Sequence, residues 1–446
     1  MTRYFGTDGI RGRAGEGKLS AASVAAMADA IGAHFGPGSQ AVIGRDTRES
    51  GPGLEAVMTE RLVRQGVDVT ALGVLPTPAA AMTVPHLDAD FGLMITASHN
   101  PWHDNGVKLF GADGRKISDA DQDAIEALIR TSLSDGLPAA SRPGEHRTDD
   151  GLGDVYVETL QKAYRAVGGA DLSGLSIVVD AANGAAYRTL PATLRALGAD
   201  PVLIGTAPDG RNINAGCGST HTDALVAQVR QAKADVGVAL DGDADRLILV
   251  DSDGAVVDGD QIIARLATDW QASGRLRGRA VVSTVMSNLG LEHYLDRLGL
   301  ALERTPVGDR HVAARMAELD ANLGGEPSGH LLMTDHAVTG DGSLAALMIL
   351  AGLAASGATS ASWLRLFDPL PQILRNVRYS GPSPLETDSV KAAIRSAQDK
   401  LADTGRLLVR ASGTEPLIRV MAEGSDPQLV SATVEEVCKE VASAAR

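Results

Sequence analysis

Residues 91–101 read Phe91-Gly92-Leu93-Met94-Ile95-Thr96-Ala97-Ser98-His99-Asn100-Pro101. An unbroken apolar run that stops at a polar turn closed by proline predicts a fully buried strand entering a loop, since a half-exposed strand would alternate. The loop sets Ser98 beside His99, with Lys108 further along the same segment. A serine there can act as a nucleophile or carry phosphate, with His99 near enough to handle protons and Lys108 to neutralise negative charge. The same residues would also suit a plain Ser/Asn/Pro turn held by its own side chains. What surrounds the loop must decide.

Outward from it, a unit recurs: apolar strand, polar turn, helical periodicity. Residues 41–44 lead into 45–50, residues 177–179 into 180–184, and residues 281–282 into 283–288. Three such starts predict three similar α/β domains with mixed sheets. Residues 370–446 read strand, helix, strand, strand, helix, which predicts a C-terminal α+β domain of another kind. Gly, Pro and charge gather at 134–154, four prolines stand within 367–384, and a weaker join lies near 253. The expected domains are 1–150, 151–252, 253–368 and 369–446, each giving one loop to a central cleft beyond the carboxyl ends of its strands.

The second loop is Asp241-Gly242-Asp243-Ala244-Asp245-Arg246, after the apolar run 236–240. Three carboxylates converging on one tight turn repel one another unless a hard cation sits between them. A calcium-binding EF-hand loop would need glycine where Arg246 stands and glutamate where Ser252 stands, so that pattern is absent. In the third loop, Gly324-Gly325-Glu326-Pro327-Ser328-Gly329-His330 offers a carboxylate, a hydroxyl and an imidazole on a backbone that can approach a ligand closely. Glu326 and Ser328 suit sugar hydroxyls. The fourth, Arg410-Ala411-Ser412-Gly413-Thr414-Glu415-Pro416, joins two strand-like runs and has Arg419 on the second. Successive amides, the hydroxyls of Ser412 and Thr414, the Gly413 turn and two arginine forks describe a phosphate nest.

Taken together, the four loops resemble the α-D-phosphohexomutase superfamily over essentially the whole chain, and more closely its bacterial phosphoglucosamine mutase branch. The branch rests on Phe5-Gly6-Thr7-Asp8-Gly9-Ile10-Arg11-Gly12, on Pro208-Asp209-Gly210 through Cys217-Gly218-Ser219-Thr220-His221, and on Val307-Gly308-Asp309-Arg310. The resemblance implies that Ser98 is a phosphoserine and that Asp241, Asp243 and Asp245, with Ser98, hold one Mg²⁺ per subunit. It also implies that the 325–330 loop reads the sugar and the 410–416 loop binds the substrate phosphate. The implied reaction interconverts glucosamine 6-phosphate and glucosamine 1-phosphate, for amino-sugar nucleotide synthesis, through a bisphosphorylated sugar. A phosphomannomutase/phosphoglucomutase of the same superfamily is the alternative, and a phosphatase or a sugar-phosphate sensor are more distant ones.

Such a reaction asks Arg11, Lys108 and Arg246 to stabilise the oxygens of the moving phosphoryl group. His330 is the expected base for the sugar hydroxyl and His99 the residue that orients the phosphoserine, though which histidine is the general base stays open. One departure is visible: the family more often has glutamine where Pro327 stands. That spacer position should alter the loop's rigidity more than its chemistry.

Composition narrows the partners. The 446 residues carry a formal charge of −15, from 41 basic against 56 acidic side chains, which disfavours nucleic acid or an anionic membrane, while the resemblance implies small-molecule sugar phosphates as partners. Positive charge must therefore be gathered locally. Cys217 and Cys438 are too few for a disulfide scaffold, and Met1 to Ile10 has no signal-peptide pattern, so a cytoplasmic protein is expected. The longest apolar stretch, 344–355, is too short to span a bilayer and predicts a buried helix. A homodimer is left open.

Overall fold

The computed structural model describes residues 4–6, 8–412 and 416–445. The first sheet contains β1 (Ile10–Arg13), β2 (Gln40–Arg45), β3 (Asp68–Val74), β4 (Phe91–Ile95), β5 (Asp104–Gly111) and β6 (His146–Thr148), in the order β1-β5-β4-β2-β3-β6. The second runs β11-β10-β9-β7-β8, from β7 (Ile177–Asp180), β8 (Val202–Ile204), β9 (Val236–Leu240), β10 (Leu247–Asp251) and β11 (Val256–Val257). The third is β13-β12-β14-β15, from β12 (Ala280–Thr284), β13 (Ala301–Thr305), β14 (Leu323–Gly325) and β15 (Leu331–Met333). The last is an antiparallel β16-β18-β17 sheet of β16 (Gln372–Arg378), β17 (Gly405–Ala411) and β18 (Leu417–Gly424).

Every residue of β4 and β9 is buried, as their continuous apolar runs require. Both lie parallel to an inner neighbour, β4 to β2 and β9 to β7, so the three-layer α/β expectation holds. The connections that carry the chemistry are hairpins, as expected for the 410–416 loop between two strand-like runs. Each of the four loops joins two antiparallel neighbours: β4 to β5, β9 to β10, β14 to β15, and β17 to β18. A hairpin keeps both ends of the loop on one sheet edge, so residues before and after the turn, such as Ser98 and Lys108, reach the same side.

The first three sheets share one apolar core, which runs from Val42 and Met94 through Val179 and Val238 to Val281 and Leu323. The helix Gly342–Ser356 lies within it and packs on the helices Leu152–Ala166 and Gly259–Ala272. Gly352 is required there, because a Cβ would come within 2.7 Å of the Trp363 ring. The C-terminal unit instead has its own core, built on Val390, Ile418, Val420 and Val434. It is tied to the third sheet by polar contacts. Asn288 pairs with both backbone groups of Leu370 at 2.9 Å, and Arg406 Nη2 reaches Val285 O (2.9 Å) and Ser287 O (2.6 Å). Among the described residues no helix is long and apolar enough to cross a membrane.

Candidate active site

Ser98 follows the buried strand β4 by three residues and is itself fully buried, with a left-handed backbone at φ 54°. That conformation is unusual for a residue with a side chain. Its Oγ donates to Asp241 Oδ2 at 2.6 Å, and His99 Nδ1 lies 3.4 Å from the same oxygen. The serine hydroxyl and the acidic loop, far apart in sequence, therefore meet.

Asp241, Asp243 and Asp245 are all buried, and a carboxylate oxygen from each lies within 4.8 Å of the others. Burial, followed by the charges of Asp245 and Asp243, pushes the Asp241 carboxyl well above the usual range. Asp243 Oδ1 and Asp245 Oδ1 are buried without a hydrogen-bond donor. Hard, converging oxygens with unsatisfied lone pairs fit a divalent cation such as Mg²⁺, and Ser98 Oγ lies at the edge of the same cluster.

Lys108, on β5, supplies a counter-charge. Its Nζ donates to Asp243 Oδ2 at 2.8 Å and Asp245 Oδ2 at 2.7 Å, with Asp8 at 3.3 Å. Burial works against this ammonium, but those three carboxylates hold its pKa well above the ordinary value. Lys108 thus serves the triad in this structure. Arg11 and Arg246 instead line a cavity of about 360 Å³ together with His99, Asp245, Glu326 and His330. Nε of each arginine is buried without a hydrogen bond; Arg246 Nε lies 3.8 Å from Asp245 Oδ1 and Arg11 Nη2 pairs with Asp8, so both guanidinium groups bring positive charge to the cavity wall.

His330 stands between two carboxylates. Its Nδ1 lies 3.6 Å from Asp245 and its Nε2 3.4 Å from Asp309. Although burial opposes the charge, these carboxylates push its pKa up to about 10, which makes it a cation at neutral pH. His99 is the reverse case, brought down to about 4 by burial and then by Arg246 and Arg11, and so is neutral. Glu326 faces the cavity and accepts from Gly308 N at 3.2 Å, whereas Ser328 is exposed and does not line it.

The C-terminal loop is described only in part. Gly413 and Thr414 lie outside the described residues, and Arg410, Ser412 and Arg419 do not line the cavity. Among the described residues, the cavity is lined from the serine, acidic and sugar loops. Arg410 and Arg419 nonetheless stand directly opposite each other on β17 and β18. Burial and then Arg419 lower the Arg410 pKa, and Arg419 Nε is buried without an acceptor. Facing like charges are unfavourable unless an anion joins them.

Several supporting residues escaped the sequence reading. Thr77 holds Asp243 twice, Oγ1 to Oδ2 at 2.6 Å and N to O at 2.9 Å. Asp8 and Asp309 bracket Lys116 across the cavity wall. Asp8 lay inside the motif Phe5 to Gly12 and Asp309 inside Val307 to Arg310, which were the available signals; Thr77 had none.

Models of the phosphoglucomutase/phosphomannomutase α/β/α domains I, II and III match residues 2–135, 154–254 and 258–370, and that of the C-terminal domain matches 374–440. The chain belongs to the phosphoglucomutase/phosphomannomutase family. Among members of this family it is 51% identical to a phosphoglucosamine mutase of Novosphingobium aromaticivorans over 446 residues, covering 99% of each chain. It is 50% identical to that of Mesorhizobium japonicum over 448 residues, again covering 99% of each. A phosphoglucomutase/phosphomannomutase family protein of Burkholderia thailandensis has the same fold at a TM-score of 0.80 and 22% identity, covering 98% of this chain and 97% of that one. Aspergillus fumigatus N-acetylphosphoglucosamine mutase, solved with GlcNAc-6P and magnesium, shares the fold at a TM-score of 0.67 and 20% identity, covering 100% of this chain and 96% of that one.

Proposed function

We propose that this family member is a phosphoglucosamine mutase, interconverting glucosamine 6-phosphate and glucosamine 1-phosphate in the cytoplasm. The observation that carries the reading is Ser98 Oγ at 2.6 Å from Asp241, within a buried acidic triad that opens onto a cationic cavity. Half-identical relatives bearing that name over their full length support it. The domain division 1–150, 151–252, 253–368 and 369–446 belongs to the same reading.

O6 and O1 of one sugar are too far apart for a direct shift, so the enzyme lends a phosphoryl group from Ser98 and takes back another. The sugar hydroxyl oxygen forms a bond to phosphorus as the Ser98 Oγ–P bond breaks. The hydroxyl gives up a proton and Oγ regains one. His99, with Nδ1 3.4 Å from Oγ, is placed for that exchange. Arg11 and Arg246 balance charge on the transferring oxygens. Asp241, Asp243, Asp245 and Ser98 would hold Mg²⁺, which supplies Lewis-acid stabilisation of phosphoryl oxygens when bound. Glu326 accepts from sugar hydroxyls. After transfer the bisphosphorylated sugar turns round, and the second phosphoryl returns to Ser98.

Arg410, Ser412, Gly413, Thr414 and Arg419 receive the phosphate that is not reacting, and the facing arginines support this part of the reading. Glucosamine, glucose and mannose share the hydroxyls at C3 and C4, so selectivity must come from groups facing C2. An isomerase assay with the 6-phosphates of the three sugars and Mg²⁺ tests the proposal. The expected kcat/KM is largest for glucosamine 6-phosphate and smallest for mannose 6-phosphate. A larger value for glucose or mannose 6-phosphate would make the chain a phosphomannomutase/phosphoglucomutase, and release of inorganic phosphate alone would make it a phosphatase.

A further inference from the structure

Arg48 is 1% exposed, and its five guanidinium N–H groups have five acceptors. Nη2 donates to Ser98 O (2.8 Å) and Asn100 O (2.9 Å), Nη1 to Pro101 O and to Asp104 O (3.0 Å), and Nε to Asp46 Oδ2 (2.8 Å). Four of the five are carbonyls of the serine loop. Asp46 Oδ2 also accepts from Thr96 Oγ1 at 2.7 Å, and Thr96 Oγ1 accepts from Ser98 N at 2.9 Å. The loop is thus gripped at its amide and at its carbonyls by one connected network.

A second grip comes from the loop after β8 in the second α/β unit. Asn214 Nδ2 donates to Ser98 O at 2.9 Å and Asn100 O at 3.1 Å, so the Ser98 carbonyl takes one donor from each side. The fit leaves no slack. A Cβ on Gly242 would stand 2.6 Å from Ser98 O and 2.8 Å from Asn214 Nδ2. With its amide and carbonyl both fixed at φ 54°, the freedom left to Ser98 is its side chain, which points Oγ at Asp241.

A buried arginine is tolerated only when its donors are all used, and this one spends most of them on a single turn. Neither Arg48 nor Asn214 lines the cavity that holds Arg11, Arg246 and Glu326. Their effect on chemistry must therefore pass through the loop. We propose that Arg48 and Asn214 are positioning residues that hold Ser98 in its left-handed conformation, so that phosphoryl transfer starts from an aimed oxygen. This inference rests on the reading of Ser98 as the phosphoryl carrier.

The test uses the full-length protein with Arg48→Lys and Asn214→Gly, alongside wild type. Lysine keeps the charge but, with a single nitrogen, cannot span four carbonyls, while glycine removes the Asn214 amide at a position that itself has φ 57°. A displacement of the reacting oxygen by about 1 Å costs roughly a hundredfold. Arg48→Lys should lower kcat for glucosamine 6-phosphate by about that factor, and Asn214→Gly by about tenfold, with KM within about threefold of wild type in both. Crystal structures of the two variants should show Ser98 away from its left-handed conformation. The inference falls if kcat in both stays within threefold of wild type, or if Ser98 keeps its φ and its contact with Asp241. If Arg48→Lys does not fold, Asn214→Gly decides by the same two readings. A wild-type protein without mutase activity would overturn the functional reading, and the loop conformation in the variants would still decide this one.

Discussion

The β4–β5 loop and the β17–β18 loop both turn between antiparallel strands, and both are read as phosphate sites, yet they are built in opposite ways. Around Ser98 the backbone is held: Arg48 uses all five donors, Asn214 Nδ2 adds two bonds, and Thr96 takes the amide, while the unpaired buried oxygens there are carboxylate and amide acceptors, Asp243 Oδ1, Asp245 Oδ1 and Asn214 Oδ1. Around Arg410 and Arg419 two cations face each other and Arg419 Nε has no acceptor. The first loop lies over a core shared by three sheets, and the second rests on a small core of its own. A phosphate carried on the protein has to be aimed, so its loop is fixed beforehand. On the proposed reading, a phosphate that arrives with the ligand would complete its own site, in keeping with Arg419 Nε left without an acceptor.

The sharpest break in this comparison is Ser98→Ala. The alanine leaves the grip of Arg48 and Asn214 on the backbone untouched and removes only the carrier oxygen, so turnover should fall by about a thousandfold or more while the fold persists. Intact-mass spectrometry of wild type and variant, before and after phosphatase treatment, checks the cause. A wild-type enzyme that is active without a phosphate-dependent mass difference would remove Ser98 from the mechanism.

Next in size is Asp243→Asn, which takes a carboxylate oxygen from the triad and weakens the partners of Lys108 and Thr77. Mg²⁺ affinity should drop by at least about tenfold, read both by calorimetric titration and by the Mg²⁺ dependence of kcat. Wild-type binding and turnover at low Mg²⁺ would make the acidic loop structural.

On the receiving side, Arg419→Ala tests the reserve of donors. Loss of one charge-assisted contact costs about 1.5 to 3 kcal/mol, so KM should rise about tenfold or more with little change in kcat. The stability of the free enzyme should be unchanged or improved, because a like-charge pair is relieved. An unaltered KM, together with unaltered inhibition by inorganic phosphate, would leave the two arginines without a ligand.

Much of the fold was legible because its inner strands are built on apolar runs: 91–95, 177–179, 236–240 and 281–282 all lie in buried strands. Their hairpin partners were harder to see. β5 reads Asp-Asn-Gly-Val-Lys-Leu-Phe-Gly and buries both Asn105 and Lys108, so a strand that carries the site's own polar groups looks like a loop in sequence. The serine and aspartate loops were legible as chemistry because each gathers its functional groups within six residues. Arg48, Thr77 and Asn214 were not, since each acts on a segment far away in the chain and alone resembles an ordinary turn residue. The histidines were visible but their charge was not, because His330 owes it to Asp245 and Asp309, which only the folded chain brings beside it.

The smallest expected effect belongs to Pro327→Gln, at the tip of a loop intermediate between the other two. Its ends are pinned by backbone bonds, Gly259 N to Pro327 O at 3.1 Å and Leu247 N to Gly329 O at 2.9 Å, and neither uses the proline ring. Glu326, which faces the cavity, keeps its own bonds to Gly308 N and His330 O after the change. The substitution therefore acts mainly on the freedom of the opened loop, which proline restricts by about 0.4 to 1 kcal/mol. That range corresponds to roughly two- to fivefold faster hydrogen exchange at the Glu326 and Gly329 amides, while kcat/KM should stay within about twofold. If kcat/KM instead fell tenfold with exchange unchanged, Pro327 would be shaping the sugar contact directly, and rigidity would matter less in this loop than at Ser98.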